Sequence, residues 1–235
     1  MRIVRLKKRN NRNMYRLFSL LTILLSTAFF VLSIVYLIAR TFGQLAWNPE
    51  SKAFKRLLDL LRSRLHAQSA GLVPWDREML GLLSLNRVNE KKAGWFNPVS
   101  SGQFTSIYQE PVLAYITQSS GKLHLTVART SDREFILRRQ GNQTEIWLNG
   151  QPFALFADGA LLASGRESKL LARLENRPDE AQSPLLLGNT TAVALSNPAR
   201  PGGPNPRALT ILRELSIEEE NIALAIFLVN NVIRH

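Results

Sequence analysis

The stretch that decides the fold is SIEEENIALAIFLVNNVIRH, residues 216–235. Its eight consecutive apolar residues, Ile222 to Val229, would cover every side of a helix. A run of this length is too short to cross a bilayer, which takes about 20 residues. A helix that is apolar on all sides must be buried on all sides. The sequence therefore predicts a helix over 217–234 that the rest of its domain encloses.

The start of this helix carries a capping signal. Ser216 and Glu219 have the S-x-x-E spacing of a capping box, in which each residue satisfies a backbone N–H of the other. Glu218 and Glu220 add negative charge where the helix dipole favours it. Adjacent helix positions point in different directions, so we interpret the three glutamates as a helix start and not as a metal or acid–base cluster.

Short alternating segments precede the helix. KLHLTVAR (122–129) and QTEIWL (143–148) alternate apolar and polar residues with the period of a strand. Asn149-Gly150 separates QTEIWL from QPFALFA by two residues, which is a strong hairpin signal. We count about ten short strands between 112 and 215, spaced as a meander. Further turns are predicted at Asp158-Gly159, Ser119–Gly121, Gly141-Asn142 and Gly165–Ser168.

These elements together predict an α+β domain over 95–235. A mostly antiparallel β-barrel around the helix would bury it and would also remove the exposed edges of a long meander. The boundary is set near residue 95 because GWFNPVSSG interrupts a helical pattern. Before it, 48–94 is predicted to hold a juxtamembrane amphipathic helix, a linker and one more short helix in PWDREMLGLLSLN (74–86).

An uncharged segment near the N-terminus predicts a single transmembrane helix. Residues 17–39 are 23 residues without a charge between Arg16 and Arg40. As a helix they reach about 34 Å, enough for a hydrocarbon core of about 30 Å. A cleaved signal peptide would need a shorter apolar region and a small-x-small cleavage site, neither of which is present.

The cations are distributed as a membrane topology signal. The formal net charge is +12, yet residues 1–16 carry seven cations and no acid, and the remainder has 23 cations against 18 acids. The excess is therefore a basic tail, which argues against nucleic-acid binding. The positive-inside rule predicts a cytoplasmic N-terminus and an extracytoplasmic barrel, with a cytoplasmic barrel as the alternative.

Two sets of residues near the membrane are candidates for contacts. In the span, small hydroxyl residues lie along one face. They either contact a transmembrane helix partner or neighbouring complex subunits, or are the single Ser and Thr residues that any span tolerates. After the span, an aromatic residue and a basic amphipathic helix either contact lipid head groups or pack on the next domain. The first set is Ser19, Thr22, Ser26 and Ser33, and the second is Trp47, Lys52, Lys55, Arg56 and Arg62.

The chain resembles the tubby-like barrel superfamily over about residues 100–235, in its phospholipid scramblase and LURP-one-related branch. The similar pieces are GQFTSIYQEPVLAYI (102–116), WLNGQPFAL (147–155) and EEENIALAIFLVNNVI (218–233). The resemblance implies a barrel with a central C-terminal helix. It does not carry scramblase activity, because this chain has no cysteine for palmitoylation, no acidic calcium loop and an anchor at the other end. Members are usually cytosolic, which favours the alternative orientation.

No pattern of catalytic residues emerges from the sequence. There is no cysteine, the histidines at 66, 124 and 235 are far apart, and no G-x-S-x-G, Walker or dinucleotide-binding glycine pattern occurs. We therefore predict no cofactor and a non-enzymatic barrel that binds lipid or another membrane protein. An accessory subunit of a larger membrane complex, or an enzyme without a recognisable motif, is the alternative.

The anchor prediction has a simple test. If the apolar segment 17–39 holds the protein in the membrane, the protein should remain in the pellet after washing with alkaline carbonate or high salt. Immunoblotting of pellet and supernatant measures this. Release by salt alone would mean that the basic tail binds a surface and that no span exists.

Overall fold

The computed structural model describes residues 18–35, 48–94, 98–165, 169–200 and 203–233. The chain divides into two compact units, Met1–Leu57 and Leu58–His235. In the first unit, helix α1 (Phe18–Val35) is long and apolar enough to cross a membrane, and none of it is buried. The basic tail 1–16, Trp47 and the ends of the predicted span 17–39 lie outside the described residues.

The second unit contains one antiparallel sheet of twelve strands. Each strand pairs with the next along the chain, so the sheet is an uninterrupted meander. Helix α2 (Lys52–Ser69) runs across the division between the units, and a short helix precedes the sheet. The elements that follow α2 are α3 (Met79–Leu82), β1 (Leu83–Ala93), β2 (Val99–Ser106), β3 (Pro111–Ser120), β4 (Leu123–Arg129), β5 (Glu134–Gln140), β6 (Gln143–Leu148), β7 (Gln151–Ala157), β8 (Ala160–Ala163), β9 (Leu170–Leu174), β10 (Gln182–Leu187), β11 (Thr190–Ser196), β12 (Leu209–Ile211), α4 (Ile217–Leu228) and a π-helical segment (Val229–Ile233).

The two ends of the meander meet and nearly close the sheet into a barrel. An antiparallel bridge joins Ser84 in β1 to Arg207, just before β12. The amide of Ala208 donates to the carbonyl of Leu83 at 2.7 Å, and the amide of Leu85 donates to the carbonyl of Pro206 at 2.9 Å. The predicted antiparallel barrel is thus confirmed. About ten strands were predicted after residue 112, and the barrel has twelve because β1 and β2 precede them.

The strand β1 corrects the sequence analysis. The predicted short helix in 74–86 is reduced to Met79–Leu82, and the chain is already extended at Leu83. The sheet therefore begins before residue 95, where the sequence placed the domain boundary. The reason is long-range pairing: β1 bonds to β2 on one side and to 206–208 on the other, which overrides a local helical pattern.

Helix α4 lies inside the barrel. All residues from Ile222 to Val229 are at most 4% exposed and share one hydrophobic core with inward-facing residues of the strands. The ring of Phe227 packs edge-on against Phe104 of β2, with 5.0 Å between the ring centroids. The predicted enclosed helix is confirmed, but its α-helical part ends at Leu228 and continues as a π-helix to Ile233.

The predicted capping box is present. The amide of Glu219 donates to the Ser216 hydroxyl at 3.2 Å, and a carboxylate oxygen of Glu219 accepts from the Ser216 amide at 2.9 Å. Arg213 forms an ion pair with the same carboxylate at 2.5 Å. The hydrogen bond from Arg213, together with that from the Ser216 backbone, lowers the pKa of Glu219 to about 2. The helix start is therefore fixed by polar contacts outside the barrel core.

Two of the predicted turns are confirmed as hairpin turns, and most of the turn predicted at Gly165–Ser168 lies outside the described residues. Asn149 and Gly150 both have positive φ, at 50° and 78°, and Asp158 and Gly159 repeat the pattern at 47° and 80°. Two consecutive positive φ values define the type I′ turn, whose twist matches that of the flanking strands. These turns set the registers of β6 with β7 and of β7 with β8.

Residues 58–69 of α2 cover part of the outer barrel wall. Ile116, Val127 and Ile136 form a cross-strand row on the outer face of β3, β4 and β5, and all three are buried. Arg62 of α2 bonds to both carboxylate oxygens of Glu134, at 2.6 to 3.2 Å. This part of α2 therefore packs on the domain, which was one of the two alternatives for the juxtamembrane helix.

The enclosed helix allows a matched pair of substitutions in the full-length protein. Leu224→Asp would place an unpaired charge at a fully buried position, at a cost of several kcal/mol, comparable with the total of about 5–15 kcal/mol that stabilises a domain. Ile217→Asp alters the same helix at a position that is 73% exposed and should have little effect. Thermal unfolding of the detergent-solubilised protein measures both. Equal midpoints would contradict the enclosed helix.

Candidate functional site

The meander gives the barrel two different mouths. We call the end where α4 begins the N-terminal mouth and the end where the π-helical segment finishes the C-terminal mouth. The turns after β3, β5 and β7 lie at the C-terminal mouth, because each strand reverses the direction of the one before. The two mouths therefore meet opposite ends of the central helix dipole.

The barrel lining becomes polar at the C-terminal mouth. Leu137 and Ile146 belong to the hydrophobic core, so the residues two positions closer to the turn face inward as well. That next row is mostly polar, and it surrounds the stretch where the helix contains Asn230 and Asn231 and becomes π-helical. The cross-strand row runs Ser119, His124, Arg139, Thr144 and Phe156.

Two arginines bind the carbonyls at the end of the helix. Arg87 of β1 donates to the carbonyl of Asn231 at 2.5 Å, and Arg139 of β5 donates to that of Ile233 at 3.1 Å. The guanidinium of Arg87 also lies over the ring of Phe104, 5.2 Å from its centroid. The last carbonyls of a helix lack intrahelical partners and carry partial negative charge, so both contacts complement the helix dipole.

A small network extends from Arg87. Glu90 forms an ion pair with Arg87 at 3.5 Å and accepts a hydrogen bond from the hydroxyl of Tyr115 at 3.2 Å. Tyr115 crosses the intervening strand at Gly102, where an added Cβ would stand 2.8 Å from the tyrosine oxygen. Burial raises the pKa of Tyr115, so the phenol stays protonated and donates. Glycine at position 102 is what permits this contact.

Three cavities adjoin the π-helical segment. A cavity of about 250 Å³ is lined by Arg139, Thr144 and Val229, among others. A second, of about 290 Å³, reaches Asn230 between the loops after β9 and β11. A third, of about 50 Å³, reaches Val232 beside Arg87 and Glu90. The C-terminal mouth therefore offers a small molecule both space and polar groups, as does a cavity of about 340 Å³ on the outer wall between Arg62 and Arg129.

The same mouth contains a serine–histidine pair that the sequence analysis missed. The hydroxyl of Ser119 and Nδ1 of His124 are 2.8 Å apart, on directly paired residues of β3 and β4. Burial, and after it the charge of Arg139, lowers the pKa of His124. A general base in acyl transfer must become an imidazolium, which these surroundings disfavour. No carboxylate among the described residues bonds to this imidazole.

The N-terminal mouth has its own polar cluster. Arg133 bonds to Asp132 at 2.8 Å and to Oδ1 of Asn221 in α4 at 2.6 Å, and its guanidinium lies over the ring of Trp75. Glu220 is buried nearby, and burial raises the pKa of its carboxyl. Within the described ranges, no group of His, Asp and Glu is arranged to hold a metal ion.

The structure shows the hydrogen bonds and the exposure of most of the predicted contact residues in the span and in α2. In α1, the hydroxyls of Thr22, Ser26 and Ser33 donate to carbonyls of their own helix at 2.8 to 2.9 Å. Ser19 belongs to the same helix, and the helix-packing role of this face stays a prediction. Lys52, Lys55 and Arg56 are exposed, and their lipid contact stays a prediction as well. Arg62 instead pairs with Glu134 on the barrel wall.

Arg133, Arg138 and Arg139 lie close together in the sequence but do not form one surface. Arg133 belongs to the N-terminal mouth, whereas Arg138 faces outward and pairs with Glu145 at 2.6 Å. Arg139 faces inward at the C-terminal mouth. Its orientation could have been inferred, because the Gly141-Asn142 turn fixes the register and places it on the same face as Leu137. No local signal indicated Arg87, whose segment the sequence had assigned to the region before the barrel.

One part of the outer barrel wall is apolar and not covered by α2. Leu155, Leu162 and Leu170 stand side by side on β7, β8 and β9, on the face opposite the core, and Leu170 is 47% exposed. Trp147 faces the same way on β6. Lys169 and Arg173 are exposed beside them and have no ion-pair partner in the described part of the chain. We call these six residues the outer-wall patch.

Comparisons with known proteins do not assign the chain to a family. No protein-family model matches the chain, and neither a curated protein nor a solved structure does.

The arginine contacts at the C-terminal mouth predict a stability effect. Arg87→Met keeps an apolar side chain against Phe104 but removes the charged hydrogen bond to the helix end. This should lower the free energy of unfolding by about 1.5–3 kcal/mol. Lys91→Met, an exposed neighbour on the same strand, should change stability by less than about 0.5 kcal/mol. Denaturant unfolding of the solubilised full chain gives both values. Similar losses would mean that the helix end does not depend on Arg87.

Proposed function

We propose that the protein is a single-pass membrane protein that displays a non-catalytic barrel beside the bilayer, and that the outer-wall patch binds the lipid surface. The observation that carries this proposal is the row of Leu155, Leu162 and Leu170, which are paired across three neighbouring strands on the outer face of the barrel. Soluble domains rarely leave a contiguous apolar patch on the surface unless it has a partner.

Lipid is the occupant that the chemistry of the patch favours. Trp147 beside leucines is the composition of an interfacial contact, in which the ring lies at the level of the head groups. Lys169 and Arg173 flank the apolar row and would attract anionic lipid, each by about 1 kcal/mol near a charged surface. Helix α1, apolar and uncovered, supports a bilayer as the neighbour of this chain.

The non-catalytic part of the proposal rests on the polar groups of the barrel. The serine–histidine pair is the nearest approach to a catalytic arrangement, and Arg139 and burial oppose the charged state that its histidine would need. The arginines Arg87 and Arg139 are engaged with the helix end. These groups are suited to holding the barrel together and to binding.

The resemblance to tubby-like barrels stays a prediction. The twelve-strand meander around a C-terminal apolar helix is the architecture that the resemblance implies. It supports a binding module more than an enzyme, since the centre of the barrel is filled by protein. It carries no lipid specificity to this chain.

Spin labels can test lipid contact, because the chain has no cysteine of its own. A nitroxide on Leu170→Cys, in full-length protein reconstituted into anionic vesicles, should be several-fold less accessible to a water-soluble relaxing agent than in detergent. Val88→Cys is the matched control: Val88 is also exposed and apolar, but it lies on β1, which β10, β11 and β12 separate from β9 around the barrel. Its accessibility should not change.

The outcome separates the alternatives. Protection of the Leu170 label should weaken when the vesicles contain only zwitterionic lipid, since Lys169 and Arg173 then lose their attraction. Equal accessibility of both labels in vesicles would contradict the proposal. Protection that appears in native membranes, but not in vesicles, would instead indicate a protein partner and favour the accessory-subunit alternative.

A further inference from the structure

The cavity of about 250 Å³ at the C-terminal mouth lies between the turns after β5 and β7. It is separate from the outer-wall patch and does not depend on the proposed membrane role. Phe156 and Val229 form apolar parts of its lining, and polar groups form the rest. The polar lining residues are Arg139, Asn142, Thr144 and Asp158.

One hydroxyl that lines this cavity is not used by the protein. Thr144 as a whole is 2% exposed, and its hydroxyl forms no hydrogen bond with any described residue. The hydroxyl oxygen is open to the cavity, so water or a ligand there can hydrogen-bond to it. Thr144 therefore adds a free donor to the cavity lining.

Two opposite charges face the same cavity without pairing. Arg139 and Asp158 both line it, but within the described residues neither forms an ion pair with the other or with any other group. They belong to β5 and to the turn after β7, two strand spacings or about 10 Å apart in backbone position. Two unpaired opposite charges on one cavity suit a molecule with a negative and a positive end.

The guanidinium of Arg139 is held in place. Its Nε donates to the carbonyl of Gly141 at 2.9 Å, and its Nη1 donates to that of Ile233 at 3.1 Å. These two bonds leave Nη2 available for a ligand. Together with the amide of Asn142 and the hydroxyl of Thr144, it makes three donors in the cavity lining. Three donors match the three oxygens of a phosphate group better than the two of a carboxylate.

We propose that this cavity binds a small zwitterion of the phosphoethanolamine type. Its phosphate accepts hydrogen bonds from Arg139, Asn142 and Thr144, and its primary ammonium donates to the carboxylate of Asp158. The same chemistry occurs in a free metabolite and in the head group of an ethanolamine phospholipid. Phe156 and Val229 face the short carbon link between the two charges.

The site is tested by ³¹P NMR titration of the full-length protein in detergent with free phosphoethanolamine and, separately, with inorganic phosphate. Asp158→Asn should weaken phosphoethanolamine binding about tenfold, since it removes the group that holds the ammonium, and should leave phosphate binding unchanged or tighter. Asparagine tolerates the left-handed conformation of this turn, where φ is 47°. Thr144→Val, of nearly the same shape, should weaken both ligands.

The unfolding midpoint of each variant without ligand serves as the folding control, and Glu145→Gln, outside the cavity, as the neutral variant. Absence of binding to the wild-type protein would overturn the proposal. Equal effects of Asp158→Asn on both ligands would overturn it too, because Asp158 would then not bind the ammonium group of the ligand. Loss of binding in Glu145→Gln would show that the ligand binds elsewhere.

A second arm identifies the source of the zwitterion. The titration is repeated in nanodiscs of phosphatidylcholine, with and without phosphatidylethanolamine. If the natural occupant is a lipid head group, the ethanolamine lipid competes and lowers the apparent affinity several-fold. If it is a free metabolite, the affinity is the same in both. Either result supports the zwitterion site and determines which source supplies it.

Discussion

The structure depends on removing one helix from water. Residues 222–229 have no polar face. In a domain surrounded by water, α4 is therefore stable only if apolar side chains surround it completely. A flat sheet would cover one face, and a two-layer packing would cover two. A meander of twelve strands that meets itself through Ser84 and Arg207 covers all of them. Every strand therefore contributes its inner row to the same core.

The cost of this arrangement appears at the helix ends, where backbone groups have no partners within the helix. At the N-terminal mouth the solution is local, since the Ser216 capping box and Arg213 lie within a few residues of the first turn. At the C-terminal mouth the solution is long-range, with Arg87 and Arg139 reaching in from opposite strands. The polar lining that serves this purpose also creates the cavities beside the π-helical segment.

This difference between local and long-range contacts explains what could be predicted from the sequence. Two-residue turns such as Asn149-Gly150, alternation within QTEIWL and the capping box are local signals, and the structure contains all three. The strand β1 pairs with β2 on one side and with residues more than a hundred positions later on the other, so its local helical pattern was misleading. Arg87 was missed with it. The cavity residues were hidden for another reason: each is ordinary in sequence, and only the register of the three strands β5, β6 and β7 brings them together.

The order of the elements along the chain has a consequence for biosynthesis. Helix α1 leaves the ribosome first and the twelve strands follow, but α4, the centre of their core, comes after all of them. At a typical synthesis rate of about 5–20 residues per second, some ten seconds or more separate the emergence of β1 from that of α4. During that interval the strands have nothing to close around, and their inner rows and edges stay open to aggregation. A nascent barrel of this design is therefore a natural client for chaperones.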